Sequence, residues 1–106
     1  MTVQQISRDG IVPSYDAGDA VNGHEFANNG KTFLHVKNGG GSSINVTIPT
    51  PGSVDGLAVA ERIVAVAAGA EKMMGPFPTA TYNQAGGLVY VDLSDATSVT
   101  LDAFRI

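Results

Sequence analysis

The stretch from Thr32 to Pro49 reads "TFLHVKNGGGSSINVTIP". Its first half alternates Leu34 and Val36 with Phe33, His35 and Lys37; its second alternates Ile44, Val46 and Ile48 with Asn45 and Thr47. Successive side chains of a strand point to opposite faces, so this period of two gives the five aliphatic residues one buried face and leaves the others wet. The spacing predicts two strands joined as a hairpin, with the triple glycine at 39–41 supplying positive φ at the connection. Pro49 and Pro51 then end the second strand, because proline has no N–H to give to a ladder.

The same period recurs on the C-terminal side. "GLVYVDL" (87–93) sets Val89, Val91 and Leu93 against Tyr90 and Asp92, and "SVTLDAFRI" (98–106) sets Val99, Leu101 and Ala103 against Thr100, Asp102 and Phe104. "SDATS" between them has turn composition. The middle of the chain, "SVDGLAVAERIVAVAAGAEK" (53–72), is rich in alanine, and Ser53 is a candidate cap for a helix starting near Asp55. Gly56 in the first turn, the β-branched Val59, Ile63, Val64 and Val66, and the alternation of Val64 and Val66 with Ala65 and Ala67 favour two strands instead. "AAG" (67–69) reads as a turn, followed by a strand from Glu71 to Phe77 that Pro76 and Pro78 bound. On this reading Met73 and Phe77 share a face, Phe77 plugs the core, Tyr82 braces a corner, and "AGG" (85–87) opens the next hairpin.

With a weak strand at His24 to Ala27, the total is about eight short strands separated by turns. That pattern is an all-β chain, a single antiparallel β-sandwich of the jelly-roll or Ig-like kind, covering 23–106. Residues 1–22 show no sustained period and read as an irregular N-terminal arm or edge-strand segment.

Composition narrows the function classes. A chain of 106 residues suits one domain with a single thin core. Charged residues make up only 15%, against about 25% in ordinary domains, which suits a surface covered by a partner. The net charge is −4, and the six cations are scattered at Arg8, Lys31, Lys37, Arg62, Lys72 and Arg105, so no grouped positive patch exists to displace counterions from nucleic acid. Cysteine is absent, which removes disulfides and thiolate metal sites. "MTVQQISRDG" lacks the basic-then-apolar form of a signal peptide, and no apolar run approaches bilayer length, so the expectation is a soluble, cytoplasmically made chain with no membrane partner.

Each chemical constellation the letters allow lacks an essential part. Ser14 with His24 or His35 and an aspartate makes a nominal triad, without a Gly-x-Ser-x-Gly elbow. His24, Glu25 and His35 are nominal metal ligands, without helical His-x-x-x-His spacing. Asp16 and Asp19 of "DAGD" have calcium-loop character but lack the other ligands and the terminal glutamate. "NGGGSS" leads to a strand, not to the helix N-terminus of a phosphate cradle. A glycosidase pair of acids has no tryptophan platform beside it. The expectation is therefore no enzyme, no catalytic, cofactor-binding or metal residues, and no cofactor, with both histidines solvated and His35 an exposed imidazole opposite Leu34 and Val36.

Four segments together carry a resemblance: "HVKNGGGSSINVTI" (35–48), "RIVAVAAGAEKMMGPFP" (62–78), "YNQAGGLVYVDL" (82–93) and "SVTLDAFRI" (98–106). Their order resembles small virion proteins of tailed bacteriophages, the head decoration, cement or minor capsid proteins, over about Gly23 to Ile106. The resemblance implies a β-sandwich without catalysis that binds the major capsid protein, self-associates with a trimer favoured, and resides on the capsid surface of the virion after synthesis in the host cytoplasm. A tail, receptor-binding or carbohydrate-binding sandwich is the alternative, and the arm is a candidate for ordering across a neighbouring subunit.

Overall fold

Leu34, Val36, Val46, Ile48, Val89, Val91 and Leu101, all in the aliphatic phase of an alternating run, are fully buried. They meet in one layer between two sheets. The computed structural model describes residues 1–54, 56–58 and 60–106. Its strands are β1 (Val3–Gln5), β2 (Asp16–Ala17), β3 (His24–Ala27), β4 (Thr32–Asn38), β5 (Ile44–Ile48), β6 (Ser53–Val54), β7 (Leu57–Ala58), β8 (Arg62–Val66), β9 (Glu71–Met74), β10 (Leu88–Leu93) and β11 (Val99–Arg105), with one helical turn, α1 (Thr79–Tyr82). The middle region is extended and not helical, but it forms three short strands, β6, β7 and β8, where two were expected; Asp55 and Val59 of that reading lie outside the described residues.

The antiparallel pairs nest: β2 with β11, β3 with β10, β4 with β9, β5 with β8. They alternate between sheets, so the first sheet runs β1-β11-β4-β9, with β2 also on β11, and the second runs β3-β10-β5-β8. One long hairpin wrapped on itself in this way is the jelly roll, and the small β6–β7 hairpin sits at its tip.

The nesting corrects the expected hairpin between β4 and β5. β4 pairs along seven positions with β11, from Val99↔Asn38 to Arg105↔Thr32, whereas β5 pairs with β8 and β10 in the other sheet. Each strand carries all its aliphatic residues on one face. Setting the strands in opposite sheets turns those faces toward each other across the core instead of laying them side by side. The triple glycine is then a crossing, not a positive-φ turn. A Cβ at Gly39 would lie 3.0 Å from the Ser98 carbonyl oxygen, and one at Gly40 would lie 3.0 Å from that of Thr97. The glycines let this crossing press against the 94–98 crossing, where Gly39 N–H donates to Ser98 O at 2.9 Å.

Two buried asparagines fasten the crossings at opposite ends. Asn38 Nδ2 donates to the carbonyls of Ser42 at 2.8 Å and Val66 at 3.1 Å, while its Oδ1 accepts Gly40 N–H. Asn28 Nδ2 donates to Phe77 O at 2.9 Å and Asn83 Oδ1 at 2.7 Å, and its Oδ1 accepts Gly30 N–H. Crossing loops bury backbone groups that no ladder satisfies, and an amide side chain with both donors and an acceptor fills that need.

The corner after β9 departs from the alternation. The strand ends at Met74, whose side chain is buried, while Met73 is 66% exposed. Gly75 takes φ +142°, and a Cβ there would lie 2.8 Å from that of Phe33, so the backbone leaves the ladder one residue before Pro76 and the two-residue phase is lost. Met73 and Phe77 therefore do not share a face. Phe77 does reach the core, with its ring 5.9 Å from Phe26 and 5.4 Å from Tyr82, and α1 brings Tyr82 into that brace.

Candidate interaction surface

The outer face of the first sheet is where the fold departs most from strand alternation. Phe33, His35 and Lys37 of β4 stand opposite Phe104, Asp102 and Thr100 of β11, the phase expected to stay wet. Instead His35 is 5% and Asp102 4% exposed, and Phe104 is buried as well. The cover comes from the N-terminal residues. β1 runs parallel along β11 at 103–105 and β2 antiparallel at 100–101, and the chain between them arches over the face.

Tyr15 holds this strap down. Its ring packs edge-on at 5.5 Å to His35 and 5.8 Å to Phe104, and Lys37 Nζ sits 4.0 Å above it. Tyr15 Oη lies 2.8 Å from His35 Nδ1, and His35 Nε2 lies 3.5 Å from Glu71 Oε1. The expected exposed imidazole is thus a buried one, because a residue twenty positions away covers it.

Gln4 makes the second attachment. Its Nε2 donates to Asp102 Oδ2 at 2.6 Å and to Ser14 O at 2.7 Å, and its Oε1 accepts Ser14 N–H at 3.1 Å. Asp102 Oδ1 accepts Ala103 N–H at 2.7 Å. Burial raises the Asp102 carboxyl above its ordinary pKa, against the opposing pull of the Ala103 hydrogen bond.

The strap covers only part of the face. Beside it an apolar trough remains, built from two adjoining cavities of about 450 and 230 Å³ that share Phe33 and Met73. Ile6, Ile11 and Tyr15 wall it on the strap side, and Pro76 and Ile106 close the other end. Ile106 is 77% exposed, like Met73 largely open to solvent. Contiguous apolar surface of this kind marks an interaction site more often than isolated exposed residues do.

The residues weighed for chemistry are spread apart. His24 stands on β3 of the second sheet and His35 on β4 of the first. His24 Nε2 accepts Asp19 N–H at 2.9 Å, and burial lowers its pKa. Ser14 Oγ lies 3.5 Å from Gln4 Oε1, at the strap attachment and not beside a histidine. Asp19 accepts Val21 N–H and Asn22 N–H on Oδ1 and Asn22 Nδ2 on Oδ2; these hydrogen bonds hold its carboxyl below the ordinary value and make it a turn residue. Asp16 belongs to β2. Among the described residues no three His, Cys, Asp or Glu side chains group to hold a metal ion. A separate polar recess of about 470 Å³ lies at the edge of the second sheet, where His24, Glu25, Tyr90 and Asp92 meet.

Gln4 and Tyr15 carry no local signal for this surface, Phe33 reads as a wet-face residue, and Met73 reads as sharing a face with Phe77. One signal was present: Phe33 and Phe104 are aromatics in the polar phase of their strands, and the fold sets them directly opposite each other under the strap. No family model, curated protein or solved structure matches the chain.

Proposed function

We propose that this chain is a structural virion protein of a tailed bacteriophage, a decoration, cement or minor capsid protein that docks on the capsid lattice through the outer face of its first sheet. The observation that carries the docking part is the apolar trough beside the strap, with Met73 66% and Ile106 77% exposed on a chain of low charge. The phage assignment rests on the resemblance of the four sequence segments. The partner is the major capsid protein, and self-association, as a trimer, accompanies binding. Many copies on a symmetric shell turn individually modest apolar contacts into a large combined stabilisation. The role is structural, without catalysis.

Mass spectrometry of purified virions tests this directly. The chain is expected in many copies per particle, and Met73→Glu is expected to deplete it from particles while leaving the protein folded. Its absence from virions sinks the reading.

The polar recess favours a second reading, a carbohydrate-binding or receptor-binding module. Tyr90 stands directly across from Glu25 on neighbouring strands, a ring beside hydrogen-bonding acceptors, which suits a sugar face and its hydroxyls. A glycan array with Tyr90→Ala as control decides it: binding that the substitution abolishes supports this reading, and a blank array removes it.

A further inference from the structure

Resting on the docking reading, we infer that the trough receives an extended apolar segment of the partner protein that carries a carboxylate at the Lys31 end. Three independent features converge. β9 ends the strand order of the first sheet, so its outer edge offers backbone donors and acceptors to an added strand. The trough that starts at Met73 and Met74 of this strand is lined by Phe33, Pro76 and Ile106, which suits alternate aliphatic side chains of such a strand. Lys31 also lines the trough, and among the described residues its side chain makes no ion pair or hydrogen bond.

The charge distribution selects the partner's sign. Of the six cations, Arg8 lies in the strap and Lys31, Lys37, Lys72 and Arg105 lie on or beside strands of the first sheet, leaving Arg62 alone on the second. On the same side Asp102 is buried and bonded to Gln4 and Glu71 faces His35, while Asp9 and Asp16 of the strap are exposed. Glu25 and Asp92 stand exposed on the second sheet. A carboxylate on the segment thus finds Lys31 at the trough and meets Glu25 and Asp92 on the opposite sheet, and such local complementarity sets orientation as well as affinity.

The test uses two fluorescently labelled synthetic peptides with the same alternating valine and leucine core, one flanked by glutamates and the other by lysines. Anisotropy titrations of the full chain are expected to show the glutamate-flanked peptide binding about tenfold more tightly, one desolvated charge pair's effect. Lys31→Glu, at an exposed position, is expected to reverse that order. Met73→Glu is expected to abolish binding of both peptides, whereas Ile63→Glu on the exposed face of the second sheet leaves both unchanged. Equal affinity for the two peptides, no binding of either, or unchanged binding by Met73→Glu overturns the inference. Equal affinity in a chain still abundant in virions overturns only the acidic occupant and leaves the docking reading standing.

Discussion

The outer faces of β10 and β11 read alike and end differently. In β10 the phase opposite the core carries Tyr90, 36% exposed, and the exposed Asp92. In β11 the same phase carries Asp102 and Phe104, both 4% exposed. Both strands are central in their sheets and both pair on two sides, so the strand itself does not decide the matter. The difference is the strap, which crosses the first sheet and has no counterpart on the second among the described residues. An alternating strand thus determines which residues share a face, while what lies beyond that face determines whether it is wet.

Paired substitutions on the two faces separate the effect of the strap from that of the strand. Phe104→Ala removes a ring packed against Tyr15 and Phe33 and is expected to cost about 3–5 kcal/mol in urea unfolding. Tyr90→Ala, in the equivalent phase of β10, is expected to cost no more than about 1 kcal/mol. Equal costs would mean that the strap does not seal the first face.

Asp102→Ala comes next, expected to cost about 1–3 kcal/mol because Gln4 Nε2 and Ala103 N–H lose a buried acceptor. Asp92→Ala on the uncovered face is expected to change stability by less than about 0.5 kcal/mol. Tyr15→Ala has a smaller global effect, about 1 kcal/mol, but a large local one. Loss of its contacts to His35 and Phe104 frees the strap, so trypsin is expected to cleave after Arg8 faster in the variant, while amides of β4 and β11 stay protected from hydrogen exchange. Unchanged cleavage would show that Tyr15 is not the latch.

The smallest effect is a pH trend. Asp102 has a folded pKa raised above 3.8, chiefly by burial, so the folded chain holds the proton more readily than the unfolded one. Its contribution to stability is fully present below that ordinary value and declines as pH rises through the folded value. Asp19 and Asp95, lowered by backbone hydrogen bonds, act oppositely: their contribution is present above 3.8 and is lost as pH falls. The stability advantage of the wild type over Asp102→Asn is therefore expected to shrink from about pH 3 to about pH 6, read from urea midpoints. An advantage that grows over that range would contradict a raised folded pKa.

Much of the core was legible before any pairing was known. Leu34, Val36, Ile44, Val46, Ile48, Val89, Val91, Leu93, Val99, Leu101 and Ala103 are all buried, each in the phase that alternation assigns to the core. The candidate surface was much less legible. Met73 and Met74 are adjacent letters of similar hydrophobicity, and only the end of pairing at Met74 and the backbone turn at Gly75 settle which one faces solvent. His35 reads as polar on a polar face, and nothing near it in sequence indicates that Tyr15 will lie on it.

Alternation alone is enough to specify an all-β sandwich and the inward-facing residues of the runs at 34–36, 44–48, 89–93 and 99–103. Those properties follow from local backbone geometry, since neighbouring side chains on a strand must point to opposite sides. Long-range packing is what sets β4 and β5 in opposite sheets, lays residues 3–17 against the first sheet, and leaves the trough beside Met73 open. These depend on contacts such as Gln4 with Asp102, 98 residues apart. Their partners are selected by competition among many strands for the same edges and faces, and that competition leaves no mark in any short stretch of sequence.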